Sequence, residues 1–265
     1  MSKNSNIKTL TADSFRSVID SIEAVRALRP DRELWYRGHS SNSYVLAPGL
    51  HRLDAPIADI SAKEARLYKD FHFRSPMYDS LVRVDLWDQL FLMQHYRLPT
   101  RLLDWTASPL VGLFFALSSF KNGPKAKPPV LWVLDPARWN EGMLHDISGP
   151  QLVYPTDDTT VAQYHPLATG SRRSEPLGIE GVINNPRINA QRGKFVIFGP
   201  QKKSLEQFCE GHKAWNTDVP LTKIEIKPTA ALGVYADLQH YGVTYSSVFP
   251  DLDGLATEIR GKYGY

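Results

Sequence analysis

A chain of 265 residues with 42% hydrophobic and 22% charged residues has the makeup of one large globular domain, which excludes a disordered or collagen-like chain. Its single cysteine, Cys209, excludes an internal disulfide and a cysteine-rich zinc site and suits a reducing, cytoplasmic setting. The net charge of +3 is too weak to demand a nucleic-acid partner, and no stretch reaches the ~20 apolar residues of a membrane span.

Residues 1–10 are polar and read as a flexible tail ahead of a single domain over 11–265. From Asp13 to Leu28 the apolar residues Phe15, Val18, Ile19, Ile22, Val25 and Leu28 recur at helical spacing, with Asp13 as the expected cap and Pro30 as the stop. Glu33 to Gly38 reads as a short strand, and Tyr44 to Leu50 as a second extended piece. Helices are expected over Ser61–Arg74 and from Asp85 to a point before Pro99, because the residue before proline disfavours helical geometry. Thr100 to Trp105 reads as a turn or strand, and Ser108-Pro109 opens a helix with proline at its first position. Beyond the basic 121–129 hinge, strands are expected at 129–134, 179–183, 194–198 and 221–226, and helices at 229–240 and 251–262. Residues 140–176 lack periodicity and read as long surface loops suited to a lid or binding loop. The strands do not alternate regularly with helices. The expected fold is therefore α+β, a mixed or antiparallel sheet core with N-terminal and C-terminal helices.

Three stretches bear polar chemistry. In Trp35-Tyr36-Arg37-Gly38, arginine offers a rigid fork for phosphate or carboxylate, and glycine allows a ligand or backbone to come close. A structural ion pair at a strand end accounts for the arginine equally well. In the run from Gln94 to Thr106, His95, Arg101 and Asp104 lie between two apolar helices, where charges need partners or a ligand. Arg101 with Asp104 is the expected internal pair, and a polar scaffold for the loop is the alternative. The stretch from Asn185 to Phe195, with Arg187 and Gln191, reads as a loop leading into a strand, fit to contact a nucleotide or simply to be solvated. Phe249-Pro250-Asp251 reads as a helix start and Cys209 as an unreactive thiol. The sequence has no HExxH, phosphate-loop, GxGxxG or GxSxG motif, so no metal is expected.

Together these segments resemble the FRG domain family, named for an aromatic-Arg-Gly motif, here Tyr36-Arg37-Gly38. The run from His95 to Thr106 resembles its most distinctive block, Arg187 to Phe195 a third block, and Phe249 to Leu252 a C-terminal signature. The family is distantly similar to ADP-ribosyltransferases, which implies an ADP-ribosyltransferase-like fold with NAD as ligand. It occurs in bacterial and phage proteins, some in toxin or phage-defence settings. The resemblance implies that Arg37 grips the dinucleotide, flanked by Tyr36 and Gly38. His95 and Arg101 would assist at phosphate or ribose, with Trp105 beside them. Asp104 would offset the positive charge as the glycosidic bond loosens, and Gln191 would orient the acceptor, a protein or nucleic acid. The acid that such enzymes place on a later strand has no counterpart in Lys194–Phe198. A non-catalytic nucleotide- or partner-binding module in a phage-defence system is the alternative.

Overall fold

The computed structural model describes residues 7–54, 56–78, 85–144, 154–156, 158–169, 172–181, 186–210, 212, 215 and 218–265. Among these, one mixed sheet of eight strands forms the centre, in the order β1-β8-β4-β2-β3-β7-β6-β5. Its strands are β1 (Lys8–Ala12), β2 (Trp35–His39), β3 (Leu102–Thr106), β4 (Val130–Leu134), β5 (Tyr154–Pro155), β6 (Leu177–Glu180), β7 (Gly193–Ile197) and β8 (Leu221–Ile226). The outermost pairs, β1–β8 and β5–β6, are parallel and the inner pairs antiparallel.

The helices are α1 (Phe15–Ala27), α2 (Ile57–Arg74), α3 (Leu86–His95), α4 (Pro109–Leu117), α5 (Pro136–Met143), α6 (Thr159–Ala162), α7 (Pro186–Ala190), α8 (Leu205–Cys209), α9 (Pro228–His240), α10 (Tyr245–Val248) and α11 (Leu252–Tyr263). Side-chain caps hold several starts: Asp85 accepts from the amides of Trp87 and Asp88, and Ser108 accepts from that of Val111. On α1 the cap is Ser14, whose hydroxyl accepts from the Ser17 amide, and not Asp13.

Alternation along the strands sorts the side chains into three cores. On one face, α1, α4 and α9 bury Val18, Phe114 and Val234 against Leu131, Val133 and Ile224 of β4 and β8. On the same face of the other half, Leu90, Phe91 and Met93 of α3 pack on Leu102, Phe195 and Ile197. The opposite face buries Trp35, Trp105, Trp132, Trp139 and Trp215 with α5 and α8.

The two halves meet at one point. β2 pairs with β4 over five residues and β3 with β7 over five, but β2 and β3 are bridged only at Tyr36–Thr106. Beyond that bridge the ladder between the halves stops, which leaves Arg37, Gly38 and His39 unpaired on their β3 side.

Several expectations change. Residues 8–10, expected in the tail, form β1, because Lys8–Ala12 pairs along the whole of its length with β8. The 44–50 piece is not a strand; its last two residues open a short 3-10 helix over Gly49–Arg52. The loop after Asn185 holds the single-turn α7 before its strand, and Asn185 itself lies outside the described residues. Much of the 140–176 region also lies outside them; its described parts include the end of α5, β5 and α6. No helix among the described residues is long and apolar enough to cross a membrane.

Candidate functional site

A cleft of about 480 Å³ opens on the α3 side of the sheet, walled by α3, β3, α7 and the start of β7. Asp104 and Phe195 stand on its floor, paired across β3 and β7. Phe91, Gln94 and His95 come from α3, Arg187, Ile188 and Gln191 from α7 and the turn after it, and Arg52, Arg97 and Trp105 complete the walls.

Among the described residues Asp104 is the only carboxylate lining this cleft, and it is oriented. Gln94 Nε2 donates to Asp104 Oδ2 at 2.9 Å. The Gln94 amide is itself set by Thr100, whose hydroxyl donates to Gln94 Oε1 at 2.6 Å and accepts from the Leu102 amide at 3.0 Å. This chain fixes which way the Gln94 amide faces and hence where the carboxylate points.

Opposite this acid stand three guanidinium groups, of Arg52, Arg97 and Arg187, none within salt-bridge distance of a carboxylate among the described residues. Arg187 lies over the Phe249 ring, 4.5 Å from its centre. Burial first, and then the neighbouring Arg97 charge, lower the pKa of Arg187, while Asp251 and Asp104 act the other way. Burial, and then Arg187, hold His95 below the usual imidazole range, so it is neutral at neutral pH. Trp105 reaches the cleft beside Asp104 on β3, but its indole packs in the core of the opposite face. Guanidinium groups gathered without a carboxylate in salt-bridge distance suit an anionic ligand.

Arg97 stands in an unusual conformation. It follows the cap of α3 with φ +63°. The Leu98 amide donates to Met93 O and the Arg97 amide to Gln94 O, each at 3.0 Å, which is the Schellman ending that glycine completes most cheaply. An arginine in the left-handed region costs about 1 kcal/mol that glycine avoids. Arg97→Gly is therefore expected to raise stability by about 1 kcal/mol, read as a higher urea midpoint at unchanged slope, while weakening anion binding in the cleft. A lower midpoint would mean that the side chain holds the fold.

The cleft gathers Asp104, His95, Gln191 and Trp105 from the expected set. Gln191 is tied down: its Nε2 donates to Val248 O at 3.2 Å, and its carbonyl accepts from the Thr106 hydroxyl at 2.6 Å. Arg37 lies outside the cleft, on the opposite face of the sheet where β2 and β3 part. Its Nη1 donates to the Asp104 carbonyl that the missing ladder leaves open, and its Nε to His39 Nε2 at 3.3 Å. Burial lowers its pKa, opposed by the Asp104 charge.

Three expected residues lie elsewhere. Arg101 does not pair with Asp104. Its fully buried guanidinium binds Glu64 of α2 at 2.6 Å and donates to Phe198 O at 2.8 Å and to Tyr164 O. Tyr36 is 3% exposed in the core under α1 and α4. Gly38 packs against α4: a Cβ there would fall 2.1 Å from Ala116 N and 2.2 Å from Gly112 O. Its bareness admits a helix backbone, not a ligand. Cys209 is buried, and burial pushes its thiol up, as an unreactive residue requires.

The residues missing from the sequence-based set are Arg52, Gln94, Arg97 and Arg187 in the cleft and Glu64 beneath it. Gln94, Arg97 and Arg187 lie inside polar stretches singled out from the sequence; nothing local distinguishes Arg52 or Glu64. No curated protein and no solved structure matches the chain. The FRG domain model matches residues 32–124, from just before β2 to just past α4, and leaves the 187–195 and 249–252 blocks outside. That span holds Arg37 and Gly38, the helix packed on Gly38, and the Thr100–Gln94–Asp104 chain on the cleft floor; the protein contains an FRG domain.

Proposed function

We propose that the cleft binds an NAD-type dinucleotide and that the chain is an ADP-ribosyltransferase-like or NAD-glycohydrolase-like enzyme. The observation that carries this reading is one oriented carboxylate, Asp104, in a cleft with three guanidinium groups that lack carboxylate partners. The arginines would hold the diphosphate, Arg97 and Arg187 as paired forks. Phe91 and Phe195 line the cleft and provide an aromatic wall for a ring. When the bond between C1′ of the ribose and the pyridinium nitrogen breaks, the electron pair leaves with nicotinamide, which departs neutral. Positive charge then develops on the ribose, where the Asp104 carboxylate stabilises it. Water or an acceptor nucleophile attacks C1′ and releases its proton to solvent. Arg37 acts here as a positioning residue, through the Asp104 carbonyl.

The test is nicotinamide release from NAD by the purified protein, with and without cell lysate as a source of acceptors. Asp104→Asn, folded as judged by circular dichroism, is expected to lose about 10²–10³ in rate, and Arg187→Ala to raise KM. A toxin or defence role adds that expression arrests bacterial growth and that Asp104→Asn relieves the arrest. The second reading, a nucleotide-binding module without cleavage, is favoured by Asp104 already accepting from Gln94 with no second acid lining the cleft among the described residues. NAD binding without release would assign that module; neither binding nor release would overturn both.

A further inference from the structure

A second cleft, of about 560 Å³, opens on the opposite face of the sheet. Its floor is a row of paired residues, Thr9 of β1, Lys223 of β8 and Trp132 of β4, and the same register continues to Arg37 on β2. The face follows from alternation: Trp132 shares its side with Trp35, Val130 and Leu134, away from the α1–α4–α9 layer. Arg52 lines both clefts.

This face holds a buried donor without an acceptor and a group of cations. Trp132 is 5% exposed, and its indole N–H has no acceptor. An indole nitrogen can only donate, and a buried donor without a partner costs about 1–3 kcal/mol. His51 is 8% exposed and lines the same cleft. Burial, and then the charges of Arg101 and Lys202, lower its pKa to about 4, so it is neutral and adds no positive charge. Lys223 lies over the Trp132 ring, 5.9 Å from its centre, and its Nζ binds Glu225 at 2.7 Å. Arg52 and Lys203 add positive charge without a carboxylate partner among the described residues. Of the acids on the wall, Glu206 is engaged by the Leu46 amide at 3.0 and 3.1 Å, and Glu210 is exposed.

We propose that this second cleft is a binding site for an oxyanion, the carboxylate or phosphate group of a small molecule, which accepts from the Trp132 indole and is held by Lys223, Lys203 and Arg52. An oxyanion supplies the acceptor this donor lacks and offsets the local charge; a cation or an apolar group does neither. The site does not depend on the nucleotide reading of the first cleft, because Trp132, Lys223 and Lys203 line this cleft alone and only Arg52 is shared.

The test follows the Trp132 indole N–H by ¹H–¹⁵N spectroscopy of the full chain. The signal is identified by its loss in Trp132→Phe or, should that variant fail to fold, by through-bond assignment. Inorganic phosphate and succinate are titrated separately against sodium chloride at matched ionic strength. The expected result is a saturable shift with one or both anions and none with chloride. That shift weakens about tenfold in Lys223→Gln combined with Lys203→Gln and is unchanged in Arg187→Ala. Phosphate alone or succinate alone identifies the group. The proposal is overturned by no saturable shift with either anion, by one that the lysine variants leave intact, or by one that disappears in Arg187→Ala.

Discussion

Arg101→Met is expected to lower stability by about 3–5 kcal/mol. Arg101 and Glu64 are both fully buried and bind at 2.6 Å, and a Glu64 oxygen also accepts from the Arg101 amide at 3.2 Å. Removing the guanidinium strands a carboxylate in the core and takes the donors from Phe198 O and Tyr164 O. Unfolding in urea with the midpoint and slope measured separately reads the change. The double variant Arg101→Met with Glu64→Leu is expected to recover a large part of the loss, because no charge is then left buried alone. A single variant within about 1 kcal/mol of the parent would show that the pair does not hold α2 to the sheet. The result also bears on function: loss of activity in an Arg101 variant would report unfolding, whereas Asp104→Asn tests the chemistry.

Gly38→Ala is expected to be as severe, with a loss of about 3 kcal/mol or failure to fold. The added methyl meets Ala116 N at 2.1 Å and Gly112 O at 2.2 Å, both backbone atoms of α4, so no side chain can swing aside. The contact is reciprocal, since a Cβ on Gly112 would lie 2.8 Å from Tyr36 Cβ. Thermal melting of Gly38→Ala beside Arg37→Lys separates the halves of the motif. Arg37→Lys keeps the charge but changes the fork that reaches the Asp104 carbonyl, so it is expected to stay folded and lose nucleotide affinity. Should Gly38→Ala melt like the parent and lose only ligand binding, the glycine would serve ligand approach and the packing account would fail.

What was legible in the sequence was local. The spacing of Val18, Ile22 and Val25 marks α1, the Ser108-Pro109 pair opens α4, and the alternation from Leu221 to Ile226 marks β8, because these signals reside within a few neighbouring residues. The class of fold, a mixed sheet with helices at both ends, follows from such elements in order. So does the crowding of polar groups between Gln94 and Thr106, which is where the cleft floor lies.

Only the tertiary structure decided how the charges pair. Arg101 and Asp104 are three apart in sequence, yet alternation along β3 sends them to different surroundings, and Arg101 meets Glu64 from a helix 37 residues away. Lys8–Ala12 becomes a strand because β8 offers it an edge, not because of its own pattern. The single bridge between β2 and β3, the meeting of Arg52, Arg97 and Arg187 from separate segments, and the place of Gly38 under α4 are likewise long-range facts. The sequence by itself determined which elements form and which residue types are available. The fold decided which charges are neutralised in the core and which line the clefts, because burial and pairing depend on neighbours far away along the chain.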